Sequence, residues 1–248
     1  MKVSLITVCR NVEAVIADTL DSVLAQTHPE IEIIVIDGAS TDGTVAILES
    51  YRPRLDVLVS EPDTGIYDAM NKGLQRATGE VIGFVNAGDL LMTPDVIAQV
   101  AEAFRHSGAD AVYGDILMVD ADDIHKVHRT WRSGAYHRAN FRKGWMPPHV
   151  ATFFRRQVYA QYGLFNLDLR IAADYEIMLR FLYKHQVSAV HMPVNLVRFR
   201  LGGMSNGSLA HIMKANREVR RSWGMNGLQP PPLLITRKLW SKVLQFFK

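Results

Sequence analysis

Four apolar runs early in the chain each end on side chains that could bind or transfer something. VSLITV (Val3 to Val8) runs into Cys9, Arg10 and Asn11. IEIIVID ends on Asp37 and continues into GASTDGT. LDVLVSE delivers Glu61, Pro62 and Asp63 ahead of TGIYDAMNKG. EVIGFVN stops at Asn86, and Gly88 and Asp89 follow. If these runs are parallel strands, their carboxyl ends form one rim, where open α/β sheets bind ligands. The first turn has no G-x-G-x-x-G, which disfavours a dinucleotide cradle, and no G-x-x-x-x-G-K-[ST] occurs, which excludes a P-loop. A phosphorylated ligand would then be held through a divalent cation, Mg²⁺ or Mn²⁺, bridging a protein carboxylate and diphosphate oxygens. Asp89 is placed to be that carboxylate, and Gly88 lets a phosphate approach the backbone. Asp37 can accept bonds from a ribose or a base N–H. No G-x-S-x-G and no Cys–His signature is present, so no acyl nucleophile is in evidence.

The elements that must position these groups follow from periodicity. Ile16, Leu20, Val23 and Leu24 fall at helical spacing after the first strand, with Asn11 as the expected cap. TVAILESY and Ile66 to Ala77 read as the next two helices. Thr93, Pro94 and Asp95 open another, with proline at its first position and an acid at the positive dipole end, running to about His106. Strand alternating with helix predicts an α/β fold with a parallel sheet and right-handed crossovers. After ADAVYGDILMV the alternation breaks. A turn at Asp120 to Asp123 leads to an antiparallel strand, IHKVHRTWR, and GWMPPHVATFF is a loop entering a strand. RRQVYAQYG is a short helix ended by Gly163. AADYEIMLRFLYK is an amphipathic helix with Tyr175, Met178, Leu179 and Leu182 inward. SAVHMPVNLVRFR is a further strand, and GSLAHIMKANREVRRSWG a helix closed by Gly224.

The 248 residues suit one α/β domain, with a boundary at Pro230 to Pro232. The single cysteine, Cys9, excludes a disulfide framework and points to a reducing compartment. Net charge is +3, but after Glu176 the only acid is Glu218 among many Lys and Arg. A basic C-terminal end implies an anionic partner. No base-stacking motif or recognition helix favours nucleic acid, so a membrane surface is the better expectation. The N-terminal apolar run is too short for a signal peptide, and no stretch could span a bilayer. In the tail, Ile235, Leu239, Trp240, Val243, Leu244, Phe246 and Phe247 share one half of a helical wheel, and the basic residues fill the other. That pattern suits a helix lying in a membrane interface, or one packed on the domain or on a second subunit in a homodimer.

SLITVCRNVEAVIADTLDSVLAQTHPEIEIIVIDGASTDGT resembles the opening of a family 2 glycosyltransferase. SEPDTGIYDAMNKGLQRATGEVIGFVNAGD is similar to the next block of bacterial members that build surface polysaccharides. ATFFRRQVYAQYGLFNLDLRIAADYEIMLRF is similar to the acceptor-side block, so the resemblance runs from about Val3 to Gly203. It implies a GT-A fold: a nucleotide-sugar half over about 1–115, an acceptor half over about 116–228, then a linker and basic helix at 229–248. It implies a UDP-type sugar donor, a glycan or lipid-linked acceptor, Mn²⁺ or Mg²⁺, and inversion at the anomeric carbon. Such an enzyme would be cytoplasmic, peripheral on the inner face of the cytoplasmic membrane. By motif, Asp37 would hold the base or ribose, Asp63 and Asp68 would line the nucleoside pocket, Asp89 would stand at the last acid of the D-x-D metal motif, and Asp174 would be the general base. Val8, Arg10, Asn11, Asn71, Lys72, Asn86, Gly88 and Arg200 are the remaining nucleotide-sugar candidates, with His149 as a further metal or diphosphate contact. The chain departs from the pattern at Gly38, which replaces the second acid of the usual pair, at Asn86 and Gly88, which leave Asp89 as the sole acid of its motif, and at Ala173, which replaces the glutamate beside the base. A nucleotidyltransferase making the donor, or a non-catalytic sugar-nucleotide scaffold, is the alternative reading.

Overall fold

The computed structural model describes residues 1–202, 209–232 and 234–236. In chain order the elements are β1 (Val3–Cys9), α1 (Ile16–Leu24), β2 (Ile31–Asp37), α2 (Thr44–Tyr51), β3 (Val57–Ser60), α3 (Ile66–Arg76), β4 (Val81–Phe84), β5 (Leu90–Leu91), α4 (Val96–Ser107), β6 (Ala111–Val119), β7 (Val127–Trp131), β8 (Thr152–Arg155), α5 (Arg156–Tyr162), α6 (Ala173–Met178), β9 (Ala189–Arg200) and α7 (Leu209–Met225). A single sheet runs β3-β2-β1-β4-β8-β6-β9-β5, with β7 paired to β6. The first four strands of that order are mutually parallel, as the alternation predicts. β8 enters antiparallel between β4 and β6, and β9 then runs parallel to β6. β8 is antiparallel to both of its neighbours, so the sheet's direction reverses beside β4.

The central strands are buried on both faces, which is why β1 and β2 read as continuous apolar runs rather than alternating ones. One core cluster joins Ile6, Ile34 and Phe84 to Phe181 and Trp223 of the second half. Another joins Val3, Leu5 and Phe153 to Ile97 and Phe104 of α4.

Several expectations change in detail. Asn11 does not cap α1. It sits at φ 51, and its Oδ1 accepts the Thr41 N–H at 2.8 Å, tying the loop after β1 to the loop after β2. α4 starts at Val96 rather than Pro94, and Asp95 bonds Gln99 and Thr93 instead of a helix N–H. α7 runs past Gly224, and the turn is made at Gly227, whose φ is 70. Beyond Met178 the last predicted amphipathic turns are π-helical, Leu179–Lys184. The inward set Tyr175, Met178, Leu179 and Leu182 is buried as its spacing implies. The chain also stays docked beyond the triple proline, because Leu234 is 3% exposed and Ile235 packs on the main core. Ile235 therefore faces the domain. The remaining span of the proposed membrane helix, 237–248, lies outside the described residues, as does 203–208, which holds most of the glycine-rich turn after Arg200.

β4 leaves no room for error. A Cβ on Gly83 would meet the Phe153 ring at 2.3 and 2.5 Å. Gly83→Ala should therefore lower stability by about 1–3 kcal/mol through overpacking. A urea-unfolding midpoint that moves down with an unchanged slope would verify it.

Candidate active site

The ladder between β1 and β4 ends at Ile6 and Phe84, and the chain beyond it turns outward. The Asp89 N–H closes a turn on the Asn86 carbonyl at 2.9 Å, Gly88 adopts φ 99, and its N–H donates to Thr19 Oγ1 at 2.9 Å. Only glycine takes that conformation without strain. The turn leads into β5, which pairs with the end of β9 and so brings Asp89 beside Arg200. A cleft of about 690 Å³ opens here, walled by the ends of β1 and β4, the start of α3, the residues leading into α6, the end of β9 and the inner face of α7.

Asp89 lines this cleft, yet it is 5% exposed. Its Oδ1 accepts one bond, a long one of 3.3 Å from the Arg200 N–H. The Arg200 guanidinium is spent elsewhere, on the Gly88 carbonyl at 3.1 Å, the Ala121 carbonyl at 3.0 Å and Asp18 at 2.6 Å. Burial thus pushes the Asp89 carboxyl up to about 8, against the smaller pull of Arg200. Asn86 shares the cleft wall, and its Oδ1 is buried with no partner. A half-neutralised carboxylate and an orphaned amide oxygen on one turn are hard oxygen donors of the kind Mn²⁺ and Mg²⁺ take. The described residues hold no group of three His, Cys, Asp or Glu that could ligate a metal alone. The donor set therefore fits a cation that arrives with, and is completed by, a diphosphate.

Asp174 faces the same cleft from the first turn of α6. The Tyr67 hydroxyl lies 3.3 Å from its Oδ1 and donates to the Ile171 carbonyl at 2.8 Å. Burial, then the charge of Asp174, raises the Tyr67 phenol far above its usual range, so it stays a neutral donor. The backbone leading into Asp174 is pinned by Glu218 of α7, whose Oε2 accepts the N–H groups of Ile171 at 2.8 Å and Ala172 at 3.0 Å. Trp223 Nε1 donates to the Tyr175 hydroxyl and Asn226 to Glu176, both at 2.9 Å.

On the opposite wall Val8, Arg10, Asn11 and Asp63 line the cleft. Asp63 Oδ1 accepts the Gly65 N–H at 2.8 Å. Asp37 stands behind this wall, fully buried at the end of β2. Its carboxylate accepts bonds from the Ser40 N–H at 3.0 Å, the Ser60 hydroxyl at 2.6 Å and the Ser40 hydroxyl, so here it braces the loop after β2.

Four other sequence candidates lie off the cleft wall. Asp68 accepts the Thr64 N–H at 3.0 Å, an acid at the start of α3. Lys72 reaches the Pro62 carbonyl at 2.7 Å and Glu61 at 3.0 Å. Asn71 is buried and exchanges two 2.9 Å bonds with the Phe165 backbone, clamping α3 to the second half. His149 is packed between Phe84 and Phe165, and burial pulls it down to about 4, a neutral ring within the core rather than a ligand on the cleft surface. Conversely, sequence reasoning missed Tyr67, Arg170, Asn216 and Glu218. Tyr67 sits inside the quoted TGIYDAMNKG block and Arg170 inside the quoted acceptor-side block, so a signal existed for both. The others come together through tertiary packing alone.

An α/β sheet that gathers carboxylates at its strand ends presents a ligand cleft of the kind open α/β enzymes use. Comparison with known proteins gives the family. The model described as Glycosyl transferase family 2 matches residues 4–163. A PGL/p-HBAD biosynthesis glycosyltransferase of Mycobacterium bovis is 34% identical over 203 residues, covering 79% of this chain and 76% of the relative. The chain belongs to glycosyl transferase family 2, and it is a glycosyltransferase. The S. aureus TarS 1-349 structure in complex with UDP-GlcNAc superposes with a TM-score of 0.74 at 19% identity, covering 91% of this chain and 65% of that one. The mannosyltransferase PcManGT from Pyrobaculum calidifontis, in complex with GDP-Man and Mn²⁺, gives 0.67 at 20% identity, covering 97% and 68%. At these identities the likeness establishes the GT-A fold. This chain spans about two thirds of either solved chain.

Asp89 generates a prediction of its own. In the fold it holds its proton up to about 8, against 3.8 ordinarily. Between those values the unfolded chain binds fewer protons than the folded one, so this group lowers stability as pH rises. Without metal or donor, Asp89→Asn should match wild type near the low end of that window. By its upper end the variant should gain on the order of 5 kcal/mol, at roughly 1.4 kcal/mol per pKa unit, and about ten degrees or more in Tm. Thermal unfolding of both proteins in chelator across the window measures the gap, and a gap that does not change with pH would contradict the assignment.

Proposed function

We propose that this chain is an inverting glycosyltransferase that moves a sugar from a nucleotide-sugar, UDP-linked, to a hydroxyl of a glycan or lipid-linked acceptor. The observation that carries this reading is that Asp89 and Asp174, from separate halves of the chain, line one cleft. The donor diphosphate belongs at the Asn86–Asp89 turn and its nucleoside against Val8, Arg10, Asn11 and Asp63. Mn²⁺ or Mg²⁺ held by Asp89 and Asn86 would neutralise charge on the leaving diphosphate. Asp174 takes the proton of the acceptor hydroxyl as its oxygen bonds to the anomeric carbon. The carbon–oxygen bond to phosphate breaks on the far side, and its electron pair leaves with the diphosphate. One displacement with one base gives inversion, and Tyr67 and Glu218 hold that base in place. The UDP-GlcNAc and Mn²⁺ complexes of the two structural relatives support this choice of donor class and cation.

The acceptor side favours an anionic surface. Lys214, Arg217, Arg220 and Arg221 lie exposed on α7 and form no salt bridge with a described residue. Met213 is 66% exposed among them, and Ile212 lies both at the cleft wall and in solvent. No helix among the described residues is long and apolar enough to cross a membrane. A peripheral helix of this kind would bring the cleft mouth to lipid-linked acceptors.

Asp174→Asn should keep affinity for UDP with Mn²⁺, by calorimetry, while transfer falls about 10²–10⁴-fold. Parallel loss of affinity and turnover would mean that Asp174 holds the fold instead. Reversing three charges with Lys214→Glu, Arg217→Glu and Arg221→Glu should weaken binding to phosphatidylglycerol vesicles about a hundredfold, at roughly 1 kcal/mol per cation. Hydrolysis of free donor should not change. Undiminished vesicle binding would remove α7 from the membrane reading.

A further inference from the structure

A second cavity of about 640 Å³ lies apart from the cleft, between β7 and β9, and shares no lining residue with it. Asn195 stands five residues before Arg200 on β9, about 16 Å away along an extended strand. The cavity is built around Asp115, a carboxylate buried at the middle of β6. The pairing of β6 with β9 slips on both sides of Asp115, between Tyr113 and Asp115 and again between Asp115 and Ile116. Such irregularities interrupt a ladder and re-aim side chains, and they gather next to sites. Gly114 lets the strands close up here, since a Cβ on it would meet Leu196 Cγ at 2.4 Å.

Asp115 Oδ1 takes two bonds, from the Ser133 N–H and from His191 Nε2, each at 2.8 Å. Its other oxygen has no partner among the described residues. His191 is fixed from the far side by stacking on Tyr113, with ring centroids 5.2 Å apart. Asn195, opposite Asp115 in the register, also lines the cavity, and its Oδ1 is buried without a partner. Arg132 reaches the rim from β7, exposed and paired with no described residue. Pro193 and Val194 supply an apolar wall, with Val194 41% exposed.

The charges select the ligand. Asp115 and Arg132 bring opposite charges to the one cavity, so for an ion of either sign the attraction of one is offset by the repulsion of the other. A neutral molecule with several hydroxyls can donate to the carboxylate and to Asn195, accept from Arg132, and lay a C–H face on the apolar wall. We propose that this cavity is a saccharide-binding site distinct from the transfer cleft, taking one uncharged sugar ring of a glycan. It would give the enzyme a hold on a chain longer than the unit being modified. Sugar binding here does not depend on the donor or cation chemistry proposed above, whereas the hold on a longer chain rests on the glycan acceptor proposed there.

Saturation-transfer NMR on the full chain with methyl glycosides of hexoses, 6-deoxyhexoses and N-acetylhexosamines tests it. At least one of these should receive saturation from wild type and from Asp174→Asn. The signal should be lost in Asn195→Ala and, separately, in Arg132→Ala. Arg132 makes no contact that the fold needs, so its variant guards against a trivial loss through unfolding. No transfer to any probe would overturn the proposal. So would a signal that survives Arg132→Ala and Asn195→Ala, or one that disappears only in Asp174→Asn, which would put the sugar in the cleft.

Discussion

Asp89 is an acid that the protein buries without an ion-pair partner. The nearest cation is Arg200, but its guanidinium is committed to two carbonyls and Asp18, leaving Asp89 only a backbone N–H at 3.3 Å. Much of the site follows from this imbalance. A carboxylate in low dielectric gains most from a cation brought to it, because the same desolvation that penalises the bare charge strengthens its attraction to an opposite one. The neighbouring Asn86 oxygen, buried and unpaired, is in the same condition. Both groups are held there by one turn, which needs Gly88 in the left-handed region and Thr19 beneath it.

The other half of the site is arranged on the opposite principle, its backbone and side chains held by partnered polar groups. Glu218 takes the two N–H groups just ahead of Asp174, and Trp223 and Asn226 of the same helical region fix the next two residues of α6. In the role proposed for Asp174, a base must hold its geometry while a proton moves to it, and fixed supports suit that role. α7 therefore has two faces with separate duties. The inner one secures α6, and the outer one carries the exposed cations.

The parallel half of the fold was legible in the sequence because its strands are continuous apolar runs and its helices carry clean periodicity. The strand-end rule then nominated Cys9, Arg10, Asn11, Asp63, Asn86 and Asp89, which line the cleft, and Asp37 and Glu61, which do not. Asn71, Lys72 and Asp68 share the third block with Tyr67, but a helix turns its side chains in all directions. Asn71 faces the Phe165 backbone, whereas Tyr67 reaches Asp174. His149 sits between prolines like a loop ligand, yet the loop folds inward and the ring becomes part of an aromatic cluster. Glu218 and the Asp115–His191 pair were not legible, since each joins residues more than forty positions apart with no local pattern.

The departure at Gly38 has a steric reading. A Cβ built there would lie 2.1 Å from Asp63 Oδ2 and 3.3 Å from Arg10 Cδ. The space that a second acid after Asp37 would occupy is thus already filled by the Asp63 carboxylate, which enters from the loop after β3. Arg10 lies beside it, and both line the cleft. A carboxylate is kept at this wall of the cleft but supplied by a different segment. That segment is anchored by its own bond to the Gly65 N–H at the start of α3, the helix that also carries Tyr67. Glycine at 38 and the acid at 63 therefore fit one another sterically, and α3, through Tyr67, links that segment to Asp174.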